Sequence, residues 1–208
     1  MIKVLNLYCG IGGNRKLWKD VEVTAVEYDS KIANVYRTLY PNDNLIVGDA
    51  HAYLLKHFRE FDFIWASPPC PSHSCLRKMG CSLEPKETGT QPVYPDMKLY
   101  EEILLLKHYF NGKYCIENVM PFYKPLIEAK KLQRHLFWSN FPLNEKQFVC
   151  DKLLDTTNEE WSGKLGVDLN KFNLSQDKQR TMYRNAVQSE LGEYIFNMAY
   201  KDKQETLF

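Results

Sequence analysis

A cysteine lies directly after a short apolar run and two prolines, in the stretch FDFIWASPPCPSHSC over residues 61–75. The run at residues 61–66 has the length of a buried strand and is too short for a helix. Two prolines end it, because proline cannot donate to a sheet ladder and holds the preceding residue extended. Cys70 is therefore predicted on a stiff loop at a strand's carboxyl end, where open α/β sheets bind ligands. A thiol aimed in this way is a candidate nucleophile, and the alternative is a buried structural cysteine.

A carboxylate is predicted at the end of another strand. Residues 113–116 have the pattern of a buried strand, and Glu117 and Asn118 follow it directly. Because the carboxyl ends of parallel strands meet at one edge of a sheet, Glu117 is expected at the same edge as Cys70. The sequence therefore predicts a thiol and a carboxylate on a common edge.

A glycine-rich turn follows the first predicted strand. Residues 2–8 have the pattern of a buried strand, CGIGG comes next, and residues 14–19 are predicted to be helical. Strand, glycine turn and helix together let the backbone approach a nucleotide-like ligand. Gly10, Gly12 and Gly13 lack the GxGxxG spacing of dinucleotide sites, and no Lys-Ser or Lys-Thr pair follows to form a phosphate loop.

Two further strands are predicted to end beside acidic residues. The strand over residues 22–27 ends in Glu27, which is placed to accept hydrogen bonds from ribose hydroxyls. The strand over residues 45–47 is followed by Asp49, which can hold an adenine amino group. These strand ends point to an adenosine-type ligand without a triphosphate cradle, and S-adenosylmethionine fits this description better than ATP or NAD.

Alternating strands and helices position these groups. Residues 2–66 alternate between four strands and the three helices that connect them, which predicts an α/β fold with a parallel sheet and right-handed crossovers. The sequence predicts helices over residues 31–39, 51–58, 96–110 and 188–200, and a further strand over residues 136–141. Asp29 or Ser30 is the expected cap of the first of these helices, and Asp96 of the third.

Two segments show no clear periodicity. Residues 71–95 form a loop too long for an idle connection, so it is expected to be a functional lid or disordered. Residues 145–180 are polar and are predicted to be loops with little regular structure.

Length and composition are those of one globular domain. The chain has 208 residues, 44% of them hydrophobic and 25% charged, and a net charge of +1, which does not by itself indicate a nucleic-acid partner. It lacks a bilayer-spanning run and signal-peptide features, so a cytoplasmic location without a membrane partner is expected. The six cysteines are expected to be reduced thiols. A zinc site is an alternative, although paired CxxC spacing is missing; its ligands would be Cys70, His73, Cys75 and Cys81.

Taken in order, these segments resemble the C5-cytosine DNA methyltransferase family, and they look most similar to its small phage or prophage members. NLYCGIGG resembles its glycine turn, VEYDSKIANVY its ribose-binding segment and GDA its adenine-contacting aspartate. SPPCPSHS resembles the nucleophile loop, IENV the glutamate motif and QRHLFWSNF the arginine-bearing strand. MYRNAVQSELGEYIF resembles the Asn-Ala-Val segment that folds back to complete the cofactor pocket.

The resemblance implies the Rossmann-like fold of S-adenosylmethionine-dependent methyltransferases, an α/β fold with a mostly parallel sheet and helices on both faces. It implies a single catalytic domain over residues 1–208, S-adenosylmethionine as cofactor and double-stranded DNA as partner. The implied setting is the cytoplasm of a bacterium or a phage-infected host cell, where restriction–modification, self-protection and anti-restriction are the candidate roles. The cofactor-binding residues that the resemblance implies are Tyr8, Gly10, Gly12, Gly13, Glu27, Tyr28, Asp49, Ala50, Pro69, Asn185 and Ala186.

The resemblance also implies a covalent mechanism. The Cys70 thiolate attacks C6 of a cytosine that has been flipped out of the duplex, and Glu117 binds its N3 and amino group. Arg134 belongs to the motif that contacts the carbonyl oxygen. C5 takes a methyl group from S-adenosylmethionine, and a base that the sequence does not identify removes the C5 proton. Cys70 would need a lowered pKa, which a basic or helix-terminus environment supplies.

The arginine motif departs from the family pattern. It ordinarily has two alternating arginines, and only Arg134 is present here. The second slot falls on Leu136, or on Phe137 if the register slips by one. The polar neighbours that can substitute in the contact to the carbonyl oxygen are His135 and Gln133. Elsewhere, Asn6 replaces the aspartate of the first motif, and Arg184 replaces the glycine before the Asn-Ala-Val segment.

The segment between the arginine motif and the closing motif is short. Residues 145–180 stand where larger members carry a target-recognition domain, and they offer Lys178 and Arg180 as phosphate contacts. The expectation is short or relaxed specificity, or recognition supplied by a protein partner or by the loop over residues 71–95. An RNA (tRNA) cytosine-5 methyltransferase is one alternative. A catalytically impaired subunit that binds S-adenosylmethionine or DNA and needs a partner is another, motivated by the missing arginine.

Overall fold

The computed structural model describes residues 1–74, 94–148 and 156–201. The strands in these ranges are β1 (Ile2–Leu7), β2 (Val21–Glu27), β3 (Asn44–Val47), β4 (Phe63–Ala66), β5 (Lys113–Val119), β6 (Lys130–Leu132) and β7 (His135–Ser139). The α-helices are α1 (Ser30–Leu39), α2 (Ala50–His57), α3 (Lys98–Tyr109), α4 (Asn158–Leu165), α5 (Gln176–Asn185) and α6 (Ser189–Tyr200).

The strands form one sheet in the order β3-β2-β1-β4-β5-β7-β6. The neighbouring pairs among β1 to β5 are parallel, whereas β7 is antiparallel to both β5 and β6. The strand order reverses beside β1, which pairs with β2 on one side and β4 on the other, so the crevice of this sheet lies there. The expected mostly parallel α/β sheet is confirmed.

Helices cover both faces of the sheet. In β4, Phe63 and Trp65 belong to an apolar core that includes α6, and Ile64 belongs to the opposite core, which includes α2 and α3. All three side chains are at most 1% exposed. A strand that is buried on both faces needs a continuous apolar run, which explains why this stretch of the sequence does not alternate.

Residues 14–19 form turns and not the predicted helix. The backbone N–H groups of Arg15 and Trp18 donate to carbonyl oxygens three residues earlier. The Arg15 guanidinium forms a bidentate pair with Asp43, at 2.9 and 3.0 Å, and the Trp18 indole N–H donates to the carbonyl oxygen of Gly192 at 3.1 Å. The segment is therefore held by contacts to two distant parts of the chain, and its local helical preference is overridden.

The prediction of loops with little regular structure over residues 145–180 is wrong for the part that is described. Thr157 and Glu160 form a reciprocal capping box at the start of α4, and Gly166 ends that helix in the left-handed region. Ser175 caps α5. Both helices pack against α1 in a third apolar core, which includes Val35, Trp161, Leu165, Leu169 and Tyr183.

Helix α3 begins two residues later than the predicted start at Asp96. The Asp96 carboxylate accepts a hydrogen bond from the Lys98 backbone N–H at 3.1 Å, while the cap position itself is Met97, whose side chain makes no capping bond. Across the three described ranges, none of the helices is long and apolar enough to span a membrane.

Candidate active site

A cavity of about 740 Å³ opens at the carboxyl ends of the parallel strands. The expected catalytic residues Cys70, Glu117 and Arg134 all line it. The expected cofactor-binding residues that line the same cavity are Tyr8, Gly10, Gly13, Glu27, Tyr28, Asp49, Ala50, Pro69, Asn185 and Ala186. Gly12 does not: its carbonyl oxygen accepts a hydrogen bond from the Tyr40 hydroxyl at 2.7 Å, so it faces α1.

The loop that carries Cys70 is fixed on both sides of the thiol. Before it, the carbonyl oxygen of Pro68 accepts a hydrogen bond from the buried Asn118 amide at 3.1 Å. After it, the backbone N–H groups of His73 and Ser74 donate to the carbonyl oxygen of Cys70 at 3.0 and 3.1 Å. The thiol itself is only partly buried. Cys70 is thus held by its backbone while its sulfur faces the cavity that it lines.

His73 anchors the far end of this loop. Its ring nitrogen Nδ1 lies 2.6 Å from the Tyr123 hydroxyl, and its carbonyl oxygen accepts a hydrogen bond from the Phe122 N–H at 3.1 Å. The ring is 1% exposed, and burial lowers the pKa of His73. The sequence suggested His73 only as a zinc ligand, because its contacts to residues fifty positions away leave no local signal.

The surroundings of Cys70 oppose ionisation of its thiol. Burial is the largest cause of a raised pKa, and the negative charge of Glu117 is the next. The hydrogen bond to its own backbone and the positive charge of Arg134 act in the opposite direction and are smaller. The pKa of Cys70 is thus raised in this structure, so these neighbours do not supply the lowered pKa that the predicted chemistry needs.

Glu117 lies inside β5 and not after its end, which corrects the predicted strand boundary. β5 continues to Val119 because β7 pairs with it antiparallel, with Glu117 opposite Phe137 and Val119 opposite His135. These side chains share one face of the sheet. The His135 Nε2 atom lies 3.6 Å from a Glu117 carboxylate oxygen.

His135 is the polar neighbour that reaches Glu117. It is 9% exposed, and burial is the main cause of its lowered pKa. The side-chain amide of Gln133 instead donates a hydrogen bond to the side-chain oxygen of Gln188, just before α6, at 2.7 Å. The two residues in the missing arginine's slot, Leu136 and Phe137, are core residues with exposures of 5% and 1%.

Arg134 lies just before β7 and lines the cavity. Its guanidinium donates to the carbonyl oxygen of Arg184 at 3.2 Å, which connects the arginine motif to the end of α5. Arg184 therefore takes part in this contact through its backbone.

Glu27 holds the glycine turn at the cofactor end of the cavity. One of its carboxylate oxygens accepts a hydrogen bond from the Gly10 N–H at 3.0 Å, and the other from the Asp29 N–H at 2.9 Å. A Cβ atom at Gly10 would meet open space, so nothing separates this backbone from a ligand in the cavity. Asp29 caps α1 as predicted, accepting from the backbone N–H groups of Lys31 and Ile32.

Two asparagine side chains pair with each other beneath the glycine turn. The side-chain amide of Asn14 donates a hydrogen bond to the side-chain oxygen of Asn6 at 2.9 Å, and both side chains are buried. The Asn6 amide in turn lies 3.5 Å from the Asn14 carbonyl oxygen. The two side chains therefore form a neutral, reciprocal pair beneath the glycine turn.

The closing segment packs directly on the glycine turn. A Cβ atom at Gly13 would lie 2.3 Å from the Val187 carbonyl oxygen, so only glycine allows this approach. At the other end, Asp49 caps α2 through a hydrogen bond from the Ala52 N–H at 3.2 Å, and this bond is the largest cause of its lowered pKa. The Lys178 ammonium contacts the Asp29 carboxylate at 2.5 Å, which ties α5 to the start of α1.

The alternative zinc site lies partly outside the described residues, because Cys75 and Cys81 fall in the undescribed range. Within residues 1–74, 94–148 and 156–201, no group of three His, Cys, Asp or Glu side chains is arranged to hold a metal ion.

The family described as C-5 cytosine-specific DNA methylase matches this chain over residues 2–90. The match contains the glycine turn, Glu27, Asp49 and Cys70, and it ends before Glu117 and Arg134. No curated protein matches the chain.

Solved structures align with the chain to different extents. The methyltransferase EhMeth of Entamoeba histolytica aligns over 99% of both chains, with 11% identity and a TM-score of 0.61. A mutant of Spodoptera frugiperda DNMT2 is 27% identical over 57% of this chain and 36% of its own, with a TM-score of 0.39. The Thermus thermophilus hypothetical protein TTHA0928 is 15% identical over 66% of this chain and 73% of its own, with a TM-score of 0.43. The fold is therefore the Rossmann-like α/β fold of the S-adenosylmethionine-dependent methyltransferases, and residues 2–90 match the C-5 cytosine-specific DNA methylases.

Proposed function

We propose that this protein methylates C5 of cytosine in double-stranded DNA, with S-adenosylmethionine as methyl donor and a covalent bond between Cys70 and the base. The observation that carries the proposal is the composition of one cavity. Cys70, Glu117 and Arg134 line the same cavity as the glycine turn, Glu27 and Asp49. A methyl donor and a cytosine base that both bind in this cavity would therefore lie next to each other.

The cofactor end of the cavity fits S-adenosylmethionine. Glu27 is at the end of β2 beside the turn, where its carboxylate can accept further hydrogen bonds from ribose hydroxyls. Asp49 is exposed at the end of the neighbouring strand β3, within reach of an adenine amino group. The cavity, at about 740 Å³, is within the usual range for sites that enclose a ligand of this size. When bound, S-adenosylmethionine supplies an electrophilic methyl group on a sulfonium sulfur.

Cys70 begins the reaction as a nucleophile. Its thiolate sulfur forms a bond to C6, the C5–C6 π electrons move to the C4–C5 bond, and the electrons of the N3–C4 double bond move to N3. The Cys70 thiol loses a proton and N3 gains one, and Glu117, 8% exposed and lining the same cavity, accepts the first and supplies the second. C5 thereby gains the enamine character that it lacks in free cytosine.

The adduct then resolves in two steps. C5 would use the enamine electron pair to bond the methyl group that S-adenosylmethionine supplies, and the electrons of the broken S–CH3 bond would stay on sulfur. The N3–C4 double bond would re-form as Glu117 takes back the N3 proton. A base removes the C5 proton, the C–H electrons restore the C5–C6 double bond, and the Cys70 thiolate leaves. A water molecule can act as that base.

The target base must leave the duplex. Cys70 is partly buried on a fixed loop, so its sulfur cannot reach C6 of a base that is stacked inside a double helix. Arg134 and Arg184 at the cavity, with Lys178 nearby, offer positive charge to the phosphates that flank a flipped nucleotide.

The proposal is tested with radiolabelled S-adenosylmethionine and either duplex DNA or tRNA. We expect label in the duplex and none with a Cys70→Ala variant, and bisulfite sequencing of the treated duplex reports the methylated sites. A duplex with 5-fluorocytosine at a methylated site should trap a denaturation-resistant adduct, because fluorine blocks removal of the C5 substituent. Label in tRNA alone would assign the RNA activity instead, and methylation without an adduct would refute the covalent step.

A catalytically impaired subunit is the second candidate. It is favoured by the burial of Leu136 and Phe137, because neither core position presents a polar group to a base. This candidate predicts that the purified chain does not methylate by itself and that Cys70→Ala retains the full biological effect of the protein. Loss of that effect in Cys70→Ala would eliminate it.

A further inference from the structure

A buried carboxylate lies behind the cofactor end of the cavity. Glu102 of α3 is fully buried, and its Oε1 atom accepts a hydrogen bond from the Tyr8 hydroxyl at 2.5 Å. The same oxygen lies 3.0 Å from Nδ1 of His51, in the first turn of α2. Tyr8 and His51 both line the cavity, whereas Glu102 does not. The carboxylate thus joins two cavity-lining side chains from different elements.

This carboxylate occupies a position that packing alone would give to an apolar residue. On α3 it lies among Leu99, Ile103 and Leu106, which are all at most 2% exposed. Its second oxygen, Oε2, has no hydrogen-bond partner among the described residues. A buried carboxyl group with one oxygen unpaired stabilises the fold less than a well-packed apolar side chain would. Glu102 therefore makes its contacts to Tyr8 and His51 at a position where an apolar residue would make the folded protein more stable.

Tyr8 is also held in a backbone conformation that its side chain disfavours. It follows β1 with a φ of 54°, which is the left-handed region. The glycine turn starts directly after it. Such strain persists only where surrounding contacts fix the residue, and the bond to Glu102 is one contact that fixes the Tyr8 side chain.

We propose that Glu102 and His51 are positioning residues that hold the Tyr8 ring as a wall of the cofactor site and so set the affinity for S-adenosylmethionine. The inference rests on the proposed function, because it takes its ligand from there. It assigns Glu102 no contact with the cofactor: the carboxylate acts through Tyr8.

The charge of His51 is part of this arrangement. Glu102 and Glu101 of α3 face its two ring nitrogens, with Nε2 at 3.4 Å from Glu101. Among the described residues, Lys98 of α3 and Asp49 at the cap of α2 also carry charge near His51, and Tyr8 at the end of β1 faces the shared carboxylate. The bond to Glu102 is the largest cause of a raised pKa of His51, which burial and Lys98 oppose.

The sign of the pH effect follows from this pair. Below the pKa of His51, an imidazolium compensates the buried carboxylate and the Tyr8 wall is held. As the pH rises through the raised pKa, His51 loses its charge, the compensation weakens and the affinity for S-adenosylmethionine falls.

The test measures the dissociation constant of S-adenosylmethionine by calorimetry on the full chain. Tyr8→Phe and Glu102→Ala are each expected to weaken binding by about tenfold, and the double variant no more than either single one. In Glu102→Gln the side-chain oxygen can still accept a hydrogen bond from the Tyr8 hydroxyl. This variant should therefore bind S-adenosylmethionine with near wild-type affinity, and that affinity should no longer depend on pH. The matched control is Glu60→Gln, which removes the exposed pair with His57 at the other end of α2 and should change neither.

Unchanged binding in Tyr8→Phe and Glu102→Ala would overturn the inference while leaving the proposed function standing. A wild-type chain that does not bind S-adenosylmethionine would overturn both. If Glu102→Ala does not unfold cooperatively, Tyr8→Phe decides alone, because it removes one hydroxyl group and keeps the ring. A pH dependence that persists in Glu102→Gln would remove His51 from the proposal.

Discussion

The Cys70 thiol is surrounded by groups that disfavour its thiolate form. Burial and the charge of Glu117 raise its pKa, and Arg134 opposes them only in part. In the proposed complex Glu117 shares a proton with the ring nitrogen of the base, so its negative charge is smaller. The contribution of Glu117 to the raised pKa of Cys70 would then be smaller as well. Base binding would then lower the pKa of Cys70 at the moment when the thiolate is needed. A resting thiol is also protected from oxidation and stray alkylation.

The rate of Cys70 alkylation should therefore rise with pH beyond the range of an ordinary cysteine. Because burial and Glu117 disfavour the thiolate, the wild-type profile is displaced to high pH. Glu117→Gln removes the second of these causes and should move the profile to lower pH. The measurement is the rate of iodoacetamide labelling of the Cys70 peptide by mass spectrometry across a pH series. Coincident profiles for wild type and Glu117→Gln would contradict this reading.

Asn118 should affect the rate of methylation as well as stability. Its amide donates to Pro68, and Asn118→Ala leaves a buried carbonyl oxygen unpaired and the Cys70 loop unfastened. We expect a loss of about 1–2 kcal/mol of unfolding free energy and a lower kcat with little change in KM for S-adenosylmethionine.

Asn140 supplies the matched control at the opposite end of β5. Its amide donates to the Gly112 carbonyl oxygen at 2.8 Å, far from the cavity. Asn140→Ala should lose stability and keep the normal kcat. Equal losses of kcat in the two variants would show that Asn118 contributes only stability.

The residues that the sequence identified are those with a local signal. Cys70 follows a strand and two prolines, and Glu27 ends a strand, so chain position alone predicts their place at the sheet edge. His51, Glu102 and Asn118 could not be assigned roles in this way. Each acts through a contact to a residue at least fifty positions distant, which depends on how the elements pack.

At the scale of elements, most of the sheet and helix α6 were predictable, whereas β6 and the helices between β7 and α6 were not. Short apolar runs between acidic or glycine-rich turns indicate parallel strands, and β1 to β4 lie where these runs are, within two residues. Helices α4 and α5 are short and polar and lack such runs. The signals that could have found them are caps: Thr157 with Glu160, and Ser175. Their burial comes from α1, which no local pattern shows.

Two glycines, one inside α4 and one that caps its C-terminal end, should change the unfolding free energy in opposite directions when replaced by alanine. Gly163 is exposed within the helix and a Cβ there meets nothing within 4 Å, so Gly163→Ala should raise the unfolding free energy by about 0.5–1 kcal/mol. Gly166 ends the helix with a φ of 61°, so Gly166→Ala should lower it by about 1–2 kcal/mol. Urea unfolding measures both. A stabilising Gly166→Ala would contradict the left-handed end of α4.

For the molecule as a whole, the start and the end of the described chain complete one site together. The glycine turn after β1 packs against residues 186–187, and Trp18 donates to Gly192 in α6. Cofactor binding should therefore stabilise the N-terminal and C-terminal segments jointly, because a ligand that binds only the assembled cavity raises the free energy of unfolding of all its walls.

Gly13→Ala tests this coupling. The added Cβ would lie 2.3 Å from the Val187 carbonyl oxygen, so the closing segment must move away from the turn. We expect a loss of about 1–3 kcal/mol of unfolding free energy and, in addition, a smaller shift in Tm on adding S-adenosylmethionine. Gly48→Ala is the control, because its Cβ meets nothing within 4 Å and both quantities should stay near wild type. If Gly13→Ala loses stability but keeps the full ligand-induced shift, the closing segment packs on the turn without forming part of the cofactor site.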